Sequence, residues 1–133
     1  MTTLSVSPAI VYEEARHAAV AAVRACTPRP MIVGSPSTPL GNDVDPTKPT
    51  YYVADGVCGF GYVTIKPARG AFVAFLKAHR TGHKGYYGGW EIPAWAFADG
   101  IGQSYEKAMA AAYAVTDVLN KYGIEAFASG RLD

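Results

Sequence analysis

Apolar residues recur every three or four positions in three segments of the chain, the pattern of amphipathic helices. The first segment covers residues 7–27 and opens with Ser7 and Pro8, residue types favoured at the N-cap and at the first helical position. The second and third cover residues 68–79 and 105–122. Each predicted helix has one apolar face, so each should pack against a neighbouring element.

Four shorter segments alternate apolar and polar residues, or are bounded by turn residues, and these predict strands. Asp55-Gly56 falls between the first two and predicts a hairpin turn, because this dipeptide favours the positive dihedral angles of tight turns. The predicted strands are residues 51–53, 57–65, 90–97 and 124–128.

The second of these strands has two unlike faces. Phe60, Tyr62 and Thr64 lie on one face, and Gly59 and Gly61 lie on the other. Glycine within a strand is typical of places where another backbone or a ligand comes close. The glycine face therefore indicates either the close approach of a second backbone or a ligand, or mere tolerance of glycine at a hairpin.

The order of elements predicts the fold class. From Tyr51 onward the order is strand, strand, helix, strand, helix, strand, and strand-helix-strand crossovers bring the flanking strands parallel or nearly so. This predicts an α+β fold with a small mixed β-sheet and helices packed on one face, for which a ferredoxin-like arrangement is one candidate. The N-terminal helix would cover an open face or pack on a second subunit. At 133 residues we expect a single domain, with residues 51–133 as its core.

Residues 28–50 hold six of the nine prolines, which excludes a continuous helix there. Their strand candidate is Met31-Ile32-Val33. The segment is expected to be a connector between the first helix and the core, or an extended surface loop with a binding role.

The formal net charge of +1 predicts no partner, but the charge is unevenly distributed. Residues 58–90 carry five Lys and Arg and no Asp or Glu, whereas acids outnumber Lys and Arg on both sides. Residues 1–7 lack a basic region and an apolar region, so we expect no signal peptide. The sequence has no apolar run of membrane-spanning length, and two cysteines make no disulfide framework. We expect a cytoplasmic protein.

The candidate functional site is the basic, glycine-rich and aromatic stretch 80–90. Its four glycines leave backbone N–H groups accessible and its cations add positive charge, a combination suited to phosphate. Its aromatic rings are able to stack on nucleobases. Two cations at the start of the preceding helix would add charge. The predicted ligand-binding residues are Lys66, Arg69, Arg80, His83, Lys84, Tyr86, Tyr87 and Trp90.

No pattern in the chain indicates catalysis or a metal site. Cys58 with His79 or His83 can be drawn as part of a catalytic triad, but no spacing constrains it. His79 and His83 have the spacing of paired zinc ligands on a helix, yet Gly82 interrupts the helix between them. We expect no enzymatic activity, no catalytic residues, no metal and no cofactor.

The chain contains the four blocks GFGYVTIKP, GHKGYYGGWEI, QSYEKAMAAA and YGIEAFASGRLD. Together these blocks resemble a family of small proteins encoded by tailed bacteriophages, including phages of actinobacteria. The resemblance covers residues 51–133, about 60% of the chain. The family has no established activity, so the resemblance implies a phage accessory protein acting in the host cytoplasm and supplies no catalytic residues.

Three functions remain as hypotheses. The first is a non-enzymatic module that binds a phosphate-bearing ligand, either nucleic acid or a nucleotide signal, and so modulates host functions or defence. The second is a protein that binds and inhibits an acidic host protein through the same surface. The third is a structural or assembly protein whose exposed aromatic residues form a homo-oligomer interface, its cations being only solvated. A homo-oligomer is expected in any case.

Overall fold

The structure, a computed structural model, describes residues 5–34 and 44–133. All three predicted helices are present, and the α+β class with an N-terminal helix is confirmed. In chain order the elements are α1 (Pro8–Ala25), β1 (Met31–Gly34), β2 (Thr50–Val53), β3 (Gly59–Ile65), α2 (Ala71–Ala78), β4 (His83–Lys84), β5 (Trp90–Pro93), a short 3-10 helix (Ala94–Ala96), α3 (Tyr105–Lys121) and β6 (Ala126–Leu132).

The main sheet has four strands in the order β4-β5-β3-β6. With α2 between β3 and β4 and α3 between β5 and β6, this is the ferredoxin-like βαββαβ arrangement. Every neighbouring pair is antiparallel, so the prediction of a mixed sheet was wrong. Each helix crossover does join two parallel strands, but these strands are not neighbours in the sheet. β5 lies between β3 and β4, and β3 lies between β5 and β6.

The predicted hairpin between residues 51–53 and 57–65 was also wrong, because β2 pairs with β1 instead of β3. The turn at Asp55 is held against the start of α3. Ser104 caps α3 by accepting a hydrogen bond from the Lys107 N–H at 3.2 Å, and its hydroxyl donates to the Asp55 carbonyl oxygen at 2.9 Å. The Lys107 ammonium is 3.0 Å from the Asp55 carboxylate. These contacts fix the turn at Asp55 against α3, so the chain leaves β2 in a direction that does not let β3 pair with it.

The strand expected at Met31–Val33 is confirmed as β1. The rest of the proline-rich connector, residues 28–50, is described only in part, because residues 35–43 lie outside the described residues.

All three helices lie on one side of the main sheet. α3 packs directly on β3 and β6, and α1 packs on α3 and reaches α2. The two glycines of β3 make the close contact with α3 possible: a Cβ atom on Gly61 would lie 2.8 Å from the carbonyl oxygen of Ala108, and one on Gly59 would lie 2.8 Å from the Tyr105 ring. Of the two alternatives for the glycine face, the structure shows the close approach, and the approaching element is a helix.

The hydrophobic core fills the space between the sheet and these helices. Val11 and Ala15 of α1, Leu76 of α2 and Val115 of α3 are fully buried there. Tyr12 closes the layer at one side, where its hydroxyl donates to the Ala96 carbonyl oxygen at 3.0 Å. In residues 5–34 and 44–133, no helix has the length and apolarity needed to cross a membrane.

Candidate ligand-binding face

The second face of the main sheet carries no helix within the described residues, and we call it the open face. The strand registers place the even-numbered residues of β3 and the odd-numbered residues of β6 on this side. Partner residues on β5 and β4 continue it toward the other edge. The open face consists of Phe60, Tyr62, Thr64, His83, Glu91, Pro93, Phe127, Ser129 and Arg131.

Aromatic rings are the main feature of the open face. Phe60 on β3 is 41% exposed and Phe127 on β6 is 50% exposed, although both are large apolar side chains. Tyr62 lies between them along β3 and is half-buried. The Arg131 guanidinium lies 5.2 Å from the centre of the Phe60 ring, within cation–π distance. The face thus offers ring surfaces on two adjacent strands, with a cation beside the Phe60 ring.

The loop of residues 85–89, which we call the β4–β5 loop, closes one end of the open face. A Cβ atom on Gly89 would lie 2.8 Å from the Thr64 methyl group, so glycine lets the loop lie directly over Thr64 and bury it. Lys66 donates a hydrogen bond from Nζ to the Tyr87 carbonyl oxygen at 3.3 Å. The end of β3 and the loop are therefore joined by both packing and a hydrogen bond.

Two tyrosines project from this loop into solvent. Tyr86 is 91% exposed and Tyr87 is 88% exposed. Their ring centres are 4.8 Å apart and their planes are 82° apart, an edge-to-face pair. The pair holds both rings at the end of the open face without burying either one.

The side chains of His83 and Glu91 meet on the β4–β5 side of the open face. His83 Nε2 lies 3.6 Å from Glu91 Oε1. The pair places the one carboxylate of the residues that make up the open face at this edge, so this edge favours an anion less than the Arg131 edge does.

Trp90 lies on the helix side of the sheet, since its register partner Ile65 belongs to the core. Its indole N–H donates to the Thr81 carbonyl oxygen at 2.9 Å, and the Lys77 ammonium is 5.2 Å from its ring centre. Lys84 is the β4 partner of Trp90 and lies on the same side. Trp90 therefore packs as a structural residue, with one ring face already covered by a cation.

Arg80 ends α2. Its φ of 55° is in the left-handed region, its N–H donates to the Lys77 carbonyl oxygen at 3.1 Å, and the Thr81 N–H donates to the Leu76 carbonyl oxygen at 2.9 Å. These two bonds form a Schellman motif in which Arg80 takes the place usually given to glycine. Gly82, which the sequence indicated as the interruption of this helix, lies two residues further on.

Arg69 lies apart from the open face. It borders a cavity of about 270 Å³ between the start of α2 and the segment leading into β6, together with Phe72, Ile124 and Glu125. Lys66 lies between this cavity and the β4–β5 loop, because its backbone N–H donates to the Glu125 carbonyl oxygen at 3.2 Å and its Nζ donates to the Tyr87 carbonyl oxygen at 3.3 Å.

The structure thus divides the eight predicted ligand-binding residues. Lys66, Tyr86, Tyr87 and His83 come together at the loop end of the open face, whereas Arg80, Lys84 and Trp90 lie at the helix side and Arg69 lies at the cavity. Sequence reasoning missed the rings and the cation of the open face itself. The alternation in β3 already placed Phe60 and Tyr62 opposite the glycine face. Arg131 was missed because the last strand was expected to end at Ala128. Phe127 lay within that predicted strand, but its place on the open face depends on the pairing of β6 with β3, which was not predicted.

The Lys and Arg residues of the basic stretch 58–90 and Arg131 differ from several other cations of the chain in their ion pairing. None of the five Lys and Arg residues of 58–90 makes an ion pair within the described residues, and neither does Arg131. Ion pairs elsewhere hold Arg16, Lys107 and Lys121. The basic middle of the sequence therefore remains an uncompensated surface in the fold.

The groups considered for catalysis or metal binding lie apart. His79 packs its ring on Phe75, with the ring centres 4.2 Å apart, whereas His83 faces Glu91. Cys58 is a half-buried free thiol beside the Gln103 side chain. Within the described ranges, no group of three or more His, Cys, Asp and Glu residues is placed to hold a metal ion.

Comparison of the chain with protein-family models, with curated proteins and with solved structures found no match. The resemblance to small tailed-bacteriophage proteins thus remains a hypothesis, and the function has to be inferred from the geometry of the open face.

Proposed function

We propose that this chain is a non-enzymatic binding protein that takes single-stranded nucleic acid on its open face. The observation that carries the proposal is the exposure of Phe60 and Phe127 on adjacent central and edge strands, with Arg131 beside Phe60, on a sheet face that no described helix covers. Leaving these rings in water has no benefit for the stability of the fold itself, which makes a ligand a reasonable explanation.

Stacking is the interaction that such rings provide. An unpaired base stacked on an aromatic side chain contributes roughly 1–3 kcal/mol, and it does so for every base because each has a π-face. Antiparallel sheets use exposed aromatic residues in this way to bind single strands whose bases are splayed out. A duplex hides the faces of its bases, so a single strand fits the open face better.

The shape of the open face favours a single-stranded nucleic acid over a free nucleotide. A small ligand needs a concave site that covers most of its surface. The cavity of about 270 Å³ lies toward the helix side, at Arg69, and a second cavity of about 50 Å³ lies beside Phe60 and Trp95. The open face itself is a sheet surface and offers length instead of enclosure.

Electrostatics supports the same ligand. Lys66 and Arg131 lie at opposite ends of the open face and have no ion-pair partner in the described residues. Each is free to contact a phosphate, and such contacts make binding depend steeply on salt. In the phage setting that the sequence resemblance implies, the ligand would be met in the host cytoplasm.

The test is binding of purified protein to short fluorescently labelled single-stranded RNA and DNA, with a duplex of the same sequence alongside, at two salt concentrations. Phe60→Leu and Phe127→Leu keep apolar bulk but remove the ring. Each should weaken single-strand binding by about tenfold, the low end of the stacking range. Tyr113→Leu removes an exposed ring from α3 on the helix side, where Tyr113 is 59% exposed, and should leave binding unchanged.

Absence of binding to any oligonucleotide at low salt would refute the proposal. Equal losses in Phe60→Leu, Phe127→Leu and Tyr113→Leu would also refute it, because the open face would then have no special role. A wild-type protein that ignores oligonucleotides but binds an acidic protein or peptide would move the function to the protein-inhibitor hypothesis.

A further inference from the structure

β6 is an edge strand of seven residues, and its outer side pairs with nothing in the described residues. Most natural edge strands are short, or carry lysine, proline or a bulge that discourages further pairing. β6 contains no lysine and no proline, and Arg131 is its one charged residue. Such an edge is suited to pairing with another strand.

The hydrogen bonds show which groups of β6 point outward. The Asp133 N–H donates to the Cys58 carbonyl oxygen at 3.0 Å, and the Lys66 N–H donates to the Glu125 carbonyl oxygen at 3.2 Å. Odd-numbered residues of β6 therefore bond to β3, and even-numbered residues point their N–H and C=O groups outward. The Ala126 N–H is already satisfied by Asn120 Oδ1 at 3.2 Å. The outward donors without an acceptor in the described residues are the N–H groups of Ala128, Gly130 and Leu132.

A second copy of β6 satisfies all three donors if the two strands pair antiparallel about a two-fold axis. Two axis positions fit the outward groups near the middle of the strand, one at Ala128 and one at Ser129. The axis at Ser129 sets Glu125 opposite Asp133 of the second copy, which repel each other. The axis at Ala128 sets Glu125 opposite Arg131 of the second copy, and these opposite charges attract each other. The two-fold symmetry makes this pair occur twice in the dimer.

The Ala128 register also suits the remaining side chains. Ile124 comes opposite Leu132 of the second copy on the helix side, and Leu132 is otherwise 63% exposed. Phe127 comes opposite Ser129 and diagonal to Arg131 of the second copy on the open-face side. The small residues Ala126, Ala128 and Gly130 occupy the centre and keep the two backbones free to approach.

We infer that this protein forms a two-fold dimer by antiparallel pairing of β6 with β6 about Ala128. Across the axis, the Ala128 N–H of each copy donates to the Ala128 carbonyl oxygen of the other copy. The Gly130 N–H donates to the Ala126 carbonyl oxygen of the second copy, and the Leu132 N–H donates to its Ile124 carbonyl oxygen. The two four-stranded sheets become one continuous sheet of eight strands. The inference does not depend on the proposed ligand, although it would join the two open faces into one.

The test measures the mass of the full chain in solution by light scattering over a range of protein concentrations, without any nucleic acid. Wild type should reach twice the chain mass of 14.1 kDa. Glu125→Arg alone and Arg131→Glu alone each set like charges opposite one another twice, and each should raise the dimer dissociation constant by about tenfold or more. The double variant Glu125→Arg/Arg131→Glu restores opposite charges and should restore the dimer.

A backbone variant tests the same edge without changing charge. Ala128→Pro removes an outward N–H, which the β3–β6 pairing does not use, so the protein should fold and remain a monomer. Ser129→Pro is the matched control: it removes an N–H that points toward β3 and should lower the melting temperature clearly. A wild type that stays at 14.1 kDa at its highest soluble concentration overturns the inference, and so does a folded Ala128→Pro variant that still dimerises. Neither result bears on oligonucleotide binding, which is measured separately.

Discussion

The ammonium group of Lys66 donates a hydrogen bond to the carbonyl oxygen of Tyr87 across 3.3 Å, linking the end of β3 to the β4–β5 loop. Twenty-one residues separate the two in sequence, and the link brings two parts of the predicted binding stretch together. The Lys66 side chain remains exposed, so it is able to contact a phosphate while it holds the loop.

Lys66→Ala should weaken oligonucleotide binding and reduce the slope of log affinity against log salt by about one, the change expected on loss of one phosphate contact. The free energy of unfolding should change by no more than about 0.5 kcal/mol, since the side chain is exposed. Salt titrations of binding and a denaturant curve measure both. Lys48→Ala removes an exposed lysine outside the open face, so an equal loss of slope in that variant would contradict the assignment of Lys66.

Acid should destabilise the contact between α1 and the end of α3. The carboxylate of Glu14 accepts hydrogen bonds from the Lys121 ammonium and from the Tyr122 hydroxyl, the latter at 2.6 Å, and together they lower the Glu14 pKa below its ordinary value of 4.5. A lowered folded-state pKa contributes stability that is present above pH 4.5 and is lost as the pH falls through the folded-state pKa. The melting temperature of wild type should therefore fall more steeply below that pH than the melting temperature of Glu14→Gln. Parallel curves for the two proteins would exclude this pair as a source of acid sensitivity.

Gly61→Ala should destabilise the fold by about 1–3 kcal/mol, because the added methyl group overpacks the contact between β3 and α3. The nearest atom is the Ala108 carbonyl oxygen at 2.8 Å, which belongs to a helix backbone and has little freedom to move. Denaturant unfolding measures the loss. Ala108→Gly should not rescue it, because the close atoms are those of the backbone. A rescue would show that the crowding comes from the Ala108 methyl group.

Arg80→Gly should be more stable than Arg80→Ala by about 1 kcal/mol. Both variants remove the charge, but only glycine accepts a φ of 55° without steric cost. The difference between their free energies of unfolding therefore isolates the cost of ending α2 with a residue other than glycine. Equal stabilities would mean that the left-handed conformation at this position carries no cost.

Much of the fold was predictable, because helices and strands are visible in local periodicity. The N-cap residue Ser7 marked the start of α1, and the alternation in β3 marked the central strand, each close to where it lies. Strand pairing was not predictable in the same way. The Asp55-Gly56 turn is real, but whether the chain continues into a hairpin depends on Ser104 and Lys107, far away in sequence.

The candidate site was predictable only in part, for a related reason. Glycine, charge and aromatic content marked the β4–β5 loop, and Lys66, Tyr86 and Tyr87 do meet there. Sequence alone does not say which side of a sheet a residue occupies, and a strand alternates sides at each step. Trp90 and Glu91 are neighbours in the chain, yet Trp90 packs toward the helices and Glu91 faces the open side.

β5 ends at Pro93, where the chain turns into the short 3-10 helix, so the main sheet does not have the same width along its length. The row of cross-strand register partners that includes Thr64 spans all four strands, and the row that includes Tyr62 spans three. Phe60 has a register partner on β6 alone. The open face is therefore a taper, broad at the β4–β5 loop and narrow at Phe60. A single-stranded nucleic acid has chemically different 5′ and 3′ ends. Bound along this taper, it would have one end at the wide part of the face and the other at the narrow part, so the two orientations of the nucleic acid on the sheet would not be equivalent.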